Sequence, residues 1–112
     1  MAPTKAAALG EFELLVVLAT LSLGDNAYPV SIAADIEQRT GRKASRTAVL
    51  VTLERLEEKG LLTSRYGDPT PVRGGRAKRF FRAKPAAIQA ARQSLTRIHT
   101  MSEGLESVLK LP

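Results

Sequence analysis

The stretch Ser45-Arg-Thr-Ala-Val-Leu-Val-Thr-Leu-Glu-Arg-Leu-Glu-Glu-Lys59 reads as a helix bounded at both ends. Ser45 can accept a backbone amide bond at its start, and Gly60 stops it. Immediately downstream come Leu61-Leu-Thr-Ser-Arg-Tyr66, then Gly67 to Arg76 with its prolines and glycines, then Lys78-Arg-Phe-Phe-Arg-Ala83. These read as two strands joined by a long basic hairpin. Upstream, residues from about Pro29 to Thr40 read as another helix, with Pro29 in a first turn that has no use for its missing amide, and with Gly41 closing it. Helix, tight turn, helix, hairpin is an order that few folds accommodate. It predicts a mainly α protein with a β-hairpin, a winged helix-turn-helix in which the hairpin flanks a helix with a free outer face.

Apolar spacing extends this reading to both ends of the chain. Residues 1–8 read as a loose arm, because Pro3 and the small residues around it offer nothing to pack. A first helix from about Leu9 to Leu23 is apolar nearly all round, so it must be buried on more than one side. Its second side meets either another chain or more of its own domain. Within the second helix Val30, Ala33, Ala34 and Ile36 are expected inward; within the third, Val49, Leu53 and Leu56 mark the core side and Thr47, Leu50, Val51 and Glu54 the outer one. Pro85 opens a last helix predicted to run to about Lys110, with Ile88, Ala91, Leu95, Ile98, Leu105 and Leu109 at alternating steps of three and four. Ser102 holds the missing seam position, with Gly104 beside it. More than twenty residues of helix would overhang so small a core, which favours a dimerisation helix over one folded back on its own domain. The expected organisation is an arm at 1–8, a winged helix-turn-helix domain at 9–84 and a C-terminal dimerisation helix at 85–112. The expected dimer interface is Leu9, Phe12, Val16, Ile88, Ala91, Leu95, Ile98, Ser102, Leu105 and Leu109, and the gap at Ser102 and Gly104 offers room for a small apolar effector between chains.

Charge points to the partner. The 112 residues carry a formal net charge of +6, which favours a polyanion. Around the hairpin Arg65, Arg73, Arg76, Lys78, Arg79, Arg82 and Lys84 face only Asp68, and Gly74-Gly75 lets backbone amides approach a phosphate or a narrow minor groove. Arg42 and Lys43 precede the third helix and suit phosphates. Ser45, Arg46 and Thr47 lie at its amino end, the end that enters a major groove in helix-turn-helix docking. Leu50 and Val51 are apolar on a face that water would normally make polar, and thymine methyl groups can receive them; the alternative is that Leu50 packs against the wing. Glu57 and Glu58 are expected to point away from a phosphate backbone. A rival reading gives Leu50 and Val51 to a protein partner and the wing arginines to its acidic surface. Single-stranded nucleic acid needs exposed aromatic platforms, whereas Tyr66, Phe80 and Phe81 are expected to pack the hairpin onto the third helix.

Other functions lack their chemistry. There is no cysteine and a single histidine, His99, which is expected to be a partly exposed residue of the last helix. No serine has a visible base partner, so no catalysis is expected. Glu54, Glu57 and Glu58 are spaced like helix-surface carboxylates that pair with Arg55 or Lys59, so neither a metal nor a cofactor is expected. Leu14 to Leu21 is too short to span a bilayer, and Glu11 and Glu13 sit where a signal peptide would be cationic or apolar. A soluble cytoplasmic protein is expected.

Four segments together carry a resemblance: Leu9-Gly-Glu-Phe-Glu-Leu-Leu-Val, Asp25-Asn-Ala-Tyr28, Leu53-Glu-Arg-Leu-Glu-Glu-Lys-Gly-Leu61 and Pro71-Val-Arg-Gly-Gly-Arg-Ala-Lys-Arg-Phe80. Over nearly its whole length the chain resembles a PadR-family transcriptional regulator, of the small kind with one helix after the winged domain. The resemblance implies a homodimer joined through its first and last helices, repression at inverted-repeat operator DNA and, in some members, release by a small ligand. The chain also departs from that pattern. Leu50 stands where a tyrosine is usual, Thr47 near a small residue or glycine, and Pro29 where a glycine is common after Tyr28. Ala83, Lys84 and Ala87 replace a Leu-Thr cap and a following glycine. With no tryptophan at all, an aromatic drug-stacking pocket is not implied.

Overall fold

A computed structural model describes residues 8–68 and 77–112. The chain order is α1 (Glu11–Leu23), a single 3₁₀ turn (Gly24–Asn26), α2 (Pro29–Thr40), α3 (Arg46–Glu58), β1 (Leu62–Tyr66), β2 (Arg79–Ala83), α4 (Pro85–Ser102) and the single turn α5 (Glu106–Leu109). The two strands pair antiparallel, with Leu62 opposite Ala83 and Tyr66 opposite Arg79. Phe81 N–H donates to the Ala27 carbonyl at 2.9 Å, tying the hairpin to the chain ahead of α2. This is the expected mainly helical fold with a hairpin wing.

The helices begin and end where local chemistry dictates. Glu13 reaches back to the Gly10 N–H at 3.0 Å, so α1 starts two residues later than Leu9. Ser31 Oγ accepts the Tyr28 N–H at 3.0 Å and donates to the Asn26 carbonyl at 2.6 Å, which fixes the entry to α2. Gly41 closes α2 in the left-handed region, at φ 76°. Ser45 Oγ caps α3 by accepting the Ala48 N–H at 3.0 Å.

The core sits where α1, α2, α3, β2 and α4 meet. Val16, Val17, Ile32, Val49, Leu53, Leu56, Leu62 and Phe81 are fully or almost fully buried there. The inward face of α3 is as expected. That of α2 is so only in part: Ile36 enters the core and Ala33 packs against it as expected, but Ile32 is buried as well while Val30 is 48% exposed and Ala34 is exposed, because the phase is set by the Ile32–Ile36 pair one turn apart. On α1, Val16 is completely buried in its own domain and so unavailable to a second chain; Leu9 and Phe12 are half-buried against the same core. Ala91 is likewise withdrawn from the expected interface, because Ala87, Ala90, Ala91 and Ser94 form the buried face of α4.

The last helix does not reach Lys110. Glu103 leaves helical geometry at ψ 134° and Gly104 takes φ 84°, so α4 stops at Ser102 and the separate turn α5 comes after it. Ile88, Leu95, Ile98, Met101, Leu105 and Leu109 are each at least 40% exposed along this tail. Tyr66 is also largely exposed rather than packed on α3, whereas Phe81 is buried as expected. Among the described residues no helix is long and apolar enough to cross a membrane.

Candidate nucleic-acid interface

The outer face of α3, the start of α2 and the base of the wing surround one open groove, lined by Tyr28, Pro29, Thr47, Leu50, Tyr66 and Lys78 among others. Arg46 and Thr47 stand exposed at the amino end of α3, where the capped first turn also concentrates partial positive charge. Val51 is 50% exposed on the outward side of the helix, while Leu50 is half-buried against the core. Val51 is therefore the more exposed of the two, while Leu50 lines the groove. Val30 joins it as an exposed apolar residue close to α3, contrary to the inward phase expected of it.

The cations of this region occur in two different states. Lys43, Arg46, Arg65 and Lys78 form no ion pair among the described residues. Lys78 Nζ sits 4.4 Å from the centre of the Tyr28 ring, and the Arg65 guanidinium lies 4.9 Å over Phe80. Tyr28 and Phe80 meet edge to face at 5.5 Å, so the two cations rest on an aromatic support that fixes their stems and leaves their charge facing water. Arg42 is held differently, donating to Glu11 at 2.9 Å and stacking 4.9 Å over Phe12. Arg82 reaches Asp25 at 2.9 Å.

Arg79, which the sequence places among the free wing cations, is turned inward. Nη1 donates to Glu54 Oε2 and Nη2 to Glu57 Oε1, each at 2.8 Å, and Nε donates to Ser64 Oγ at 3.2 Å. Burial opposes the charge on this guanidinium, but the bond to Glu54 and the nearby Glu57 outweigh it and hold the group firmly protonated. Glu57 thus pairs with the wing and not with its helix neighbours. Arg55 and Lys59 instead converge on Glu13 of α1, at 3.6 and 3.1 Å. Burial alone would push the Glu13 carboxyl up. The Gly10 N–H and Lys59 Nζ, with Arg55 beyond, hold it below its ordinary value.

The other site residues fall in three groups. Arg73, Gly74, Gly75 and Arg76 lie outside the described residues. His99 is exposed on α4. Among the described residues no cluster of three metal-ligating side chains occurs. Tyr28, Val30 and Tyr66 line the groove, although the sequence does not single them out as contacts; Arg65 lies instead beside Asp25 and Arg82 in a separate hollow.

No sequence-family model matches the chain, and no curated protein does. Its three-dimensional similarity is extensive. A PadR-family transcriptional regulator from Eggerthella lenta DSM 2243 superimposes with a TM-score of 0.67 at 19% identity, over 91% of this chain and 88% of that one. Another, from Clostridium difficile R20291, gives 0.68 at 20% identity over 89% and 99%. The fold is PadR-like. Bacillus subtilis PadR, solved in complex with operator DNA, shares the PadR-like fold at a TM-score of 0.58 and 16% identity, over 73% of this chain and 47% of that one.

Proposed function

We propose that the protein is a PadR-family regulator that binds double-stranded DNA sequence-specifically as a homodimer at an inverted-repeat operator, and represses transcription there. One observation carries the reading. The capped amino end of α3 exposes Arg46 and Thr47 in one groove with the propped Lys78, and unpaired Lys43 stands just ahead of the cap in the chain. A helix end accompanied by free cations fits a major groove bordered by phosphates. Val51 would then meet a thymine methyl group. The Bacillus subtilis complex with operator DNA supports the same use of the fold. Arg42, Ser45, Leu50 and the tip residues Arg73, Gly74, Gly75 and Arg76 complete the proposed DNA contacts.

Residues 9–84 form the proposed reader and 85–112 the dimerisation element, with 1–8 as an arm. An exposed stripe of Ile88, Leu95, Ile98, Leu105 and Leu109 is unfavourable in water and favours burial against a second copy, with Ser102 in the same seam. Leu9 and Phe12, half-buried at the start of α1, would contribute their exposed parts. The open apolar surface at the α4–α5 elbow, lined by Ile98, Met101, Ser102, Leu105 and Leu109, would, once covered by a second copy, leave room for a small apolar effector that releases the operator. DNA as the partner makes the cytoplasm the working compartment.

Selection from a randomised duplex pool at near-physiological salt tests the reading, because salt suppresses the unspecific phosphate contribution. Enrichment of a two-fold symmetric motif with half-sites about one helical turn apart is the expected result. A folded, dimeric protein that enriches no motif overturns it.

A further inference from the structure

We propose that Arg79 is a positioning residue, a clamp that sets the wing against the reading helix and masks the carboxylates of that helix from DNA. The inference rests on the DNA-binding reading above. Glu54 and Glu57 are three residues apart on α3 and so share a face, the face that meets the hairpin. Arg79 projects from β2 and bridges both, while Ser64 of the neighbouring strand β1 lies within 3.0 Å of both Glu57 oxygens and accepts the third guanidinium bond. The guanidinium also lies 5.0 Å from the Phe81 ring centre and 5.9 Å from that of Tyr66. Five groups on three elements therefore converge on one planar cation, whose side chain is only 24% exposed.

The geometry answers a conflict in the sequence. A helix that enters a DNA groove gains nothing from two carboxylates beside the wing, and an arginine there would ordinarily seek phosphate. Here each neutralises the other, and the pairing ties the wing to the helix through side chains, in addition to the Leu61–Leu56 backbone bond and the shared core. Arg79 is thus withdrawn from phosphate, and Lys78, just ahead of β2 and resting on Tyr28, remains free for it.

A pair of glutamine substitutions separates geometry from charge. Simple electrostatics holds that E54Q/E57Q, which removes two negative charges beside a polyanion, tightens binding to every duplex alike. The clamp predicts the opposite balance: affinity for a random-sequence duplex rises, while preference for the selected operator over that duplex falls by about tenfold. R79M lowers the same preference by about tenfold alone, but by about twofold at most in the E54Q/E57Q background, since the partners are already gone. R79K restores the charge without the planar bridge and stays near R79M. Thermal melting of the same variants confirms that each is folded, and its own non-additivity reports the clamp without DNA. Independent, additive losses of operator preference overturn the proposal, as does a fully active R79K. A wild-type protein that prefers no duplex defeats the regulator reading itself, and the role of the clamp with it; loss of additivity in melting alone would then mark a stability contact.

Discussion

Glu13 shows how one carboxylate can hold two helices in register. It satisfies an orphan amide at the start of α1 and receives Lys59 and Arg55 from the end of α3, in a setting where its side chain is only 11% exposed. Its carboxyl is held below the ordinary value of 4.5, so the folded protein takes up that proton less readily than the unfolded chain does. The resulting stability is complete above about pH 4.5 and is lost as pH falls through the depressed value. Denaturation midpoints followed from neutral to acid pH should therefore fall on the acid side, and Glu13→Gln should flatten that limb while lowering the neutral plateau. Ser45 is a simpler case. Ser45→Ala removes the acceptor for the Ala48 N–H and should cost about 1 kcal/mol, read as a melting temperature lower by about 5 °C. At Gly67 a methyl group would stand 2.8 Å from the Phe80 ring, so Gly67→Ala should displace that ring from Tyr28, a change visible in the aromatic proton shifts.

At the scale of elements, α4 has two incompatible faces. Alanines and Ser94 pack it on the body of the domain, and Ile88, Leu95 and Ile98 face water. Leu95→Asp with Ile98→Asp should give a folded monomer by sedimentation equilibrium, with the melting temperature little changed at low protein concentration, because those side chains are already exposed in the single chain. The element order was legible in the sequence because caps and stops are local: Ser45, Gly41, Gly60 and Pro85 each act within a turn. The phase of α2 was not. Val30, Ala33, Ala34 and Ile36 form as plausible a stripe as Ile32, Ala33 and Ile36, and only the packing partner chooses between them. The end of α4 was half legible, since Ser102 and Gly104 stood out in the pattern. One glycine costs a helix about 1 kcal/mol, too little to decide between a weakened helix and a broken one. The inward turn of Arg79 was illegible for a different reason. An arginine among arginines looks like part of a charged patch until the two carboxylates opposite are placed by the fold.

Across the whole molecule, a net charge of +6 is divided between cations tied to carboxylates and cations left open. Only the second kind should appear in the salt dependence of duplex binding. Lys78→Ala should reduce the slope of log affinity against log salt by about 0.9, the signature of one lost phosphate contact, whereas R79M should change that slope much less. The seam between α1 and α4 has a consequence of its own. Ala87, Ala90, Ala91 and Ser94 are small, so α4 lies close against the body that carries α3. If two copies join through the outer side of α4, the thickness of that seam becomes part of the distance between the two copies of α3. Under the proposed function the protein would then measure its operator with alanine side chains as spacers. A bulkier residue at Ala91 would act as a shim, and the DNA it preferred would differ in the number of base pairs between half-sites and not in their sequence.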